Sequence, residues 1–331
     1  MKKLLRLLVL LMMLTMMVSC VKKENVQTTD LANITVLLDW APNTNHTGLY
    51  VAQQKGYYTD EGLDVRIAQP SEGGTEMLVA SGKAQFGVSF QDSLVPAFLG
   101  NDKLPVTAIA ALIQHNTSGL LSLKEKGIDR PMKLEGYKYA TWDMDIEKAI
   151  IKKVMETDGG DYSKLKLIPS TVADAVSAIQ THVDCVWVYY AWDKIRADIA
   201  GVQTNFIDFK DYGNELDYYN PVLIAGNDFL KNNPEQAKAF LRATEKGYHY
   251  AMEHPDEAAV LLTNTVPELD KTLVTKSQEW LANQYQADAT HWGEFDADRW
   301  NGFYNWLYNE KVIDSPIPEG TGFTNDYLPL D

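Results

Sequence analysis

From residue 34 onward the hydrophobic period of this chain keeps switching between two residues and 3.6. Apolar or alternating runs predict strands over 34–39, 63–67, 86–90 and 106–113, with helices over 45–55, 75–81 and 93–99 between them. A second series follows Gly119: strands over 137–142, 165–168, 183–188, 206–209 and 222–225, and helices over 146–156, 172–180 and 191–200. The last third reads as helix over 234–254, 269–286 and 297–308. Such a rhythm predicts an α/β fold of mainly parallel sheets with helices on both faces. Two series in 331 residues suggest two lobes, with the chain crossing between them. The divisions are residues 33–118 with 224–331 for one lobe and 119–223 for the other.

The first residues have a different character. Lys2, Lys3 and Arg6 precede an apolar run over 7–18. That run is shorter than the roughly 20 residues a membrane-spanning helix needs. It reads as a secretory signal over 1–19. Ser19-Cys20 at its end resembles the processing site of bacterial lipoproteins, where the Cys is lipidated. A polar tether over 20–32 would then link the lipid to a body on the outer face of the cell membrane. Removal of 1–19 takes away three positive charges and lowers the net charge from −15 to −18. A surface that acidic argues against nucleic acid, whose phosphates need a basic face. Cys185, the other of two cysteines, lies in an apolar run and reads as a buried, inert thiol.

Open α/β sheets bind ligands beyond the carboxyl ends of their strands, and the unusual clusters fall there. The first is Asp39-Trp40-Ala41-Pro42-Asn43-Thr44-Asn45-His46-Thr47-Gly48-Leu49-Tyr50. An aromatic residue leads into a helix whose first turn carries amide, hydroxyl and imidazole groups, so Asp39, Trp40, Asn43 and His46 are candidates. Free N–H groups at that helix start would suit a polar ligand group. Ser71 and Glu72 stand in a glycine-rich turn, Phe90 and Asp92 follow the third strand, and Ser118 lies at the crossing between lobes. Trp142 sits at a strand end. In Tyr189-Tyr190-Ala191-Trp192-Asp193 successive strand residues alternate faces, so Tyr189 or Tyr190 should face the cleft, with Asp193 beside it. Asn220 is a weaker candidate. Aromatic faces with carboxylates and amides suit a flat heteroaromatic ligand bearing amino groups. An anionic ligand would call for Arg or Lys, and these loops carry none.

The first cluster, with Val51-Ala52, resembles the opening motif of ThiY-type proteins, the solute-binding lipoproteins of ATP-binding cassette importers for thiamine pyrimidine precursors. The resemblance continues through Gly56-Tyr57-Tyr58 and Glu61-Gly62-Leu63-Asp64-Val65, and returns at 136–148, 187–195, Asp228-Phe229-Leu230 and Asn233-Pro234-Glu235. It implies a type II periplasmic-binding-protein fold, a permease and its ATPase as partners, and a monomeric receptor without metal or cofactor. The implied ligand is N-formyl-4-amino-5-aminomethyl-2-methylpyrimidine or hydroxymethylpyrimidine; a riboflavin-like heterocycle or an aliphatic sulfonate is the alternative. The family carries Glu where this chain has Asp193. A related fungal pyrimidine synthase resembles residues 82–96, but it needs a Lys and a His where this chain has Ser89 and Ser93, and its Cys-rich iron motif is missing here. The chain therefore reads as a binding protein rather than an enzyme.

If Cys20 carries the lipid, Cys20→Ser should move the protein from the membrane pellet to the soluble fraction. Continued sedimentation with membranes would refute the anchor.

Overall fold

A computed structural model of the chain describes residues 31–70, 74–100 and 103–330. The signal, Cys20, the tether up to residue 30, and Ser71 and Glu72 lie outside the described residues.

Among the described residues ten strands form two sheets. They are β1 Ala32–Leu37, β2 Leu63–Ala68, β3 Phe86–Ser89, β4 Val106–Ala111, β5 Ser118–Leu123, β6 Lys138–Thr141, β7 Lys166–Pro169, β8 Cys185–Tyr189, β9 Thr204–Asp208 and β10 Val222–Gly226. The first sheet has the order β2-β1-β3-β10-β4 and the second β7-β6-β8-β5-β9. β1 runs parallel to β2 and β3, and β6 parallel to β7 and β8. The fourth strand of each sheet is reversed: β10 is antiparallel to β3 and β4, and β5 to β8 and β9. The sheets are therefore mixed rather than mainly parallel. Both reversed strands adjoin a crossing between sheets, where no helix returns the chain to its starting end.

β5 was not expected from the sequence. Its segment Ser-Gly-Leu-Leu-Ser-Leu shows no clean alternation because almost every residue is buried. Gly119 is required there, since a Cβ would lie 2.2 Å from the Ile207 carbonyl oxygen on β9. Three helices, Tyr57–Asp60, Asn227–Asn232 and Pro255–Thr265, were also missed, and the one expected over 269–286 spans only Lys271–Leu281. The helix expected over 191–200 begins as a π-helical turn, Tyr190–Lys194, before becoming α over Ile195–Ile199. No helix of the described residues is long and apolar enough to cross a membrane.

The two crossings, 112–117 and 209–221, are fastened together. Leu112 N donates to the Pro221 carbonyl (3.1 Å) and Asn116 Nδ2 to that of Leu216 (2.8 Å). The His115 ring bridges Asp217 (2.6 Å) and Asp288 (2.7 Å), and Arg299 donates to the Gln114 carbonyl (2.6 Å). Its Asp217 hydrogen bond, chiefly, raises the His115 pKa, so the doubly protonated ring that can donate to both carboxylates is favoured.

The core beneath β1 and β3 is aromatic. Phe240, on helix Pro234–Glu253, stacks between Phe86 (4.0 Å) and Tyr58 (5.2 Å). That helix packs against helix Thr47–Gln54 with almost no side chain between them. A Cβ on Gly247 would stand 2.1 Å from the Gly48 carbonyl oxygen, and one on Gly48 would enter the Tyr248 ring. Cys185 is fully buried, and burial pushes its thiol pKa far up.

The contact at Gly247 fixes the helix that starts at the cleft. Gly247→Ala should overpack it and cost about 1–3 kcal/mol in chemical denaturation. An unchanged denaturation midpoint would mean that the two helices separate without penalty.

Candidate functional site

A cavity of about 370 Å³ opens between the carboxyl ends of β1 and β3 on one sheet and β6 and β8 on the other. Its size suits a small organic molecule. Asp39, Trp40, Asn43, Phe90, Asp92, Trp142, Tyr189 and Asp193 line it, with Asn45, Ser93, Met144, Ile146, Glu147, Trp187, Ala191 and Trp192. None of these sixteen is Lys or Arg.

The loop after β1 is built around His46. Its Nδ1 accepts from the Asn43 N–H (3.2 Å), so the neutral ring carries its proton on Nε2 and donates it to Asp39 Oδ1 (2.6 Å). Asn43 Oδ1 accepts from Asn45 N (2.8 Å). These contacts form a capping box. They also correct two expectations. His46, a candidate for ligand contact, is 0% exposed and holds Asp39 without lining the cavity itself. Three N–H groups of the helix start are occupied within it, that of Asn45 by Asn43 Oδ1, that of His46 by the Asn43 carbonyl and that of Thr47 by the Thr44 carbonyl. Tyr248 and Tyr285 fasten the same turn, donating to the Asn45 and Thr44 carbonyls (both 2.7 Å). Trp40 rides on this rigid base and is 59% exposed.

Past β3, Phe90 faces Tyr189 of β8 with rings 6.2 Å apart and 16° from parallel, one from each sheet. Asp92 follows. Its carboxylate accepts from its own N–H and that of Ser93, yet burial pushes its pKa up to about 6. Its Oδ1 is sealed from solvent and has no hydrogen-bond partner among the described residues.

On the opposite wall the turn over 142–144 wraps round Glu147, which lies in the first turn of helix Asp145–Thr157. That carboxylate accepts from Tyr139 Oη (2.6 Å), Thr141 Oγ1 (2.9 Å), Trp142 N (3.0 Å) and Met144 N (3.3 Å). Asp143 takes a left-handed φ of 66° to complete the wrap. Trp142 is thereby held 5.6 Å from Trp187 and is 47% exposed.

The choice between the two tyrosines falls to Tyr189. Tyr190 turns away and stacks on Trp280 of helix Lys271–Leu281 at 4.7 Å. The π-helical turn that begins there carries Ala191, Trp192 and Asp193 onto the wall; such turns recur at functional sites. Burial pushes Asp193 to about 6, with Arg196 opposing the shift.

Two further candidates do not line the cavity. Ser118 is buried at the crossing and donates to Asn116 Oδ1 (2.7 Å). Asn220 is buried behind Tyr189 and donates to its hydroxyl (3.0 Å). Sequence reasoning missed Glu147, whose place in a helix's first turn is ordinary for an acid, and Trp187, whose apolar strand read as core.

The NMT1/THI5-like family model matches residues 43–258. A formylaminopyrimidine-binding protein from Halalkalibacterium halodurans is 27% identical over 96% of this chain and 97% of its own length. A 4-amino-5-hydroxymethyl-2-methylpyrimidine phosphate synthase from Legionella pneumophila is 27% identical over 90% and 93%. The solved structure of the periplasmic aliphatic sulphonate binding protein SsuA from Escherichia coli matches with a TM-score of 0.66 at 12% identity, over 86% of this chain and 95% of that one. With the paired mixed sheets, this likeness gives the chain the type II periplasmic-binding-protein fold expected from its sequence.

Asp193 sets a pH signature. Its carboxyl titrates near 3.8 in the unfolded chain and about 6 in the fold. The native state therefore holds the extra proton between those values, and the unliganded protein loses stability as pH rises through that window. Asp193→Asn should raise the unliganded melting temperature at pH 7.5 and lose that advantage at pH 4, as thermal scans would read. An equal gain at both pH values would disprove the buried charge as its cause.

Proposed function

The chain belongs to the NMT1/THI5-like family, and on that premise we propose that it is the solute-binding component of an ATP-binding cassette importer for a thiamine pyrimidine precursor. The ligand is N-formyl-4-amino-5-aminomethyl-2-methylpyrimidine or hydroxymethylpyrimidine. One observation carries this reading: a small cavity between two lobes, walled by aromatic faces from both, with carboxylates and amides at its edges and no basic side chain. Trp40 and Tyr189 offer faces for a flat ring. Asp193, Asp39 and Asn43 offer acceptors and a donor for its amino and ring-nitrogen edges. The lobes close about the two crossings, and the closed form docks on a permease. The lipid at Cys20 keeps the receptor on the outer membrane face, beside that permease.

A sulfonate would want N–H donors or guanidinium groups, and the capping of the helix start leaves few N–H groups to offer. The synthase reading lacks its chemistry at two positions. Ser89 stands where the resemblance calls for Lys, and its hydroxyl is buried and donates to Glu76. Ser93 stands where it calls for His.

Trp40→Ala should weaken binding of the formylaminopyrimidine by at least about 2 kcal/mol, roughly thirtyfold in Kd, while the fold is retained. Titration calorimetry with circular dichroism checks both; unchanged affinity would remove stacking on Trp40 from the mechanism.

A further inference from the structure

The cavity has two chemically unlike ends. The loops of the first sheet bring polar groups to it: Asn45 and Ser93 offer a carboxamide and a hydroxyl beside the amide of Asn43. The start of helix Asp145–Thr157 and the middle of β8 bring Trp142, Met144, Ile146 and Trp187 instead. The two indoles meet there at 5.6 Å with planes 46° apart. Trp187 Nε1 is sealed from solvent, so the cavity meets carbon atoms of that ring, which packs edge-on against Phe209 at 4.4 Å. Glu147 lies among these residues, but its carboxylate is buried and spent on its four donors. No lining side chain of this corner therefore has a strong acceptor to spare, and burying an amino or hydroxyl group without a partner is unfavourable. Trp142 and Met144 are nonetheless 47% and 55% exposed. Apolar surface held open in this way gains when an apolar group covers it.

We infer that this corner seats the 2-methyl group of the pyrimidine, and that Met144 and Ile146 make the protein selective for it. The inference rests on the pyrimidine reading and fixes which way round the ring lies. Both proposed ligands carry a polar arm at C5 and a methyl group at C2, and those two positions are opposite each other on the ring. A ring whose arm reaches the amide and hydroxyl groups after β1 and β3 points its methyl group across the cleft, at the apolar corner of the second sheet. The reverse orientation buries the hydroxyl or formamide of the arm where no side-chain acceptor is free, and leaves the methyl group among carboxylates and amides. The methyl group makes only dispersion and hydrophobic contacts, so its contribution follows the apolar surface it covers.

The test is calorimetry at pH 7.5 with two pairs of compounds, the formylaminopyrimidine and the hydroxymethylpyrimidine, each with and without its 2-methyl group. The wild-type protein should bind the methylated member of the pair it accepts at least about tenfold more tightly. Ile146→Ala, which cuts back the wall, and Met144→Gln, which puts an amide at an exposed position on it, should each narrow that preference at least about threefold. Both should do so by weakening the methylated compound, with the unmethylated one changed less than about twofold. General damage to the fold would weaken the two members alike. If the two members bind the wild-type protein equally, or if both variants keep the wild-type preference, the methyl seat is overturned and the pyrimidine reading stands. If no compound of either pair binds, the pyrimidine reading fails and this inference fails with it.

Discussion

Each sheet is completed by a strand that the chain supplies only next to a crossing. β10 pairs with β3 and β4 only after the chain has left the second sheet, and β5 starts directly after the chain has left the first. The first sheet therefore cannot assemble from one uninterrupted stretch of sequence, whereas the second, β5 to β9, can. The constraint also locates the cleft. With the parallel strands of both sheets ending toward the same gap, the loops after β1, β3, β6 and β8 meet there.

What those loops carry divides into groups that hold and groups that wait. His46 and Glu147 are buried and saturated, and their work is to hold Asp39 and the 142–144 turn in place. Burial raises the pKa of Asp92 against the pull of two backbone N–H groups, and that of Asp193 against the pull of Arg196. Support of this kind lets a site keep desolvated charge that the fold alone would disfavour.

The strand–helix rhythm was legible because burial on both faces makes strands read as short apolar runs, as in Val36 to Leu38 and Phe86 to Ser89. Direction was not legible, because a hydrophobic period carries no sign; the reversal of β5 and β10 depends on partners far along the chain. In the site, Asp39, Trp40, Asn43, Phe90, Asp92, Trp142, Tyr189 and Asp193 could be named from their positions past strand ends, and they line the cavity. His46 was misplaced because its depth depends on Tyr248 and Tyr285, some 200 residues away, pinning its turn from behind. The choice between Tyr189 and Tyr190 depended on Trp280, and no local pattern announces that contact.

The fastening between the two crossings bears on how the lobes can move. Two separate strings between bodies permit bending, twisting and sliding. Strings tied to each other along their length behave as a single flexure with one soft axis, and the His115 bridge to Asp217 and Asp288 with the bonds around it makes such a tie. Rotation about that axis remains, while relative twist of the lobes strains several charged contacts at once. Of the ways in which the two sheets could move against each other, rotation about that axis is the one that leaves these ties unstrained, so a molecule held between the sheets would have that single angle to freeze.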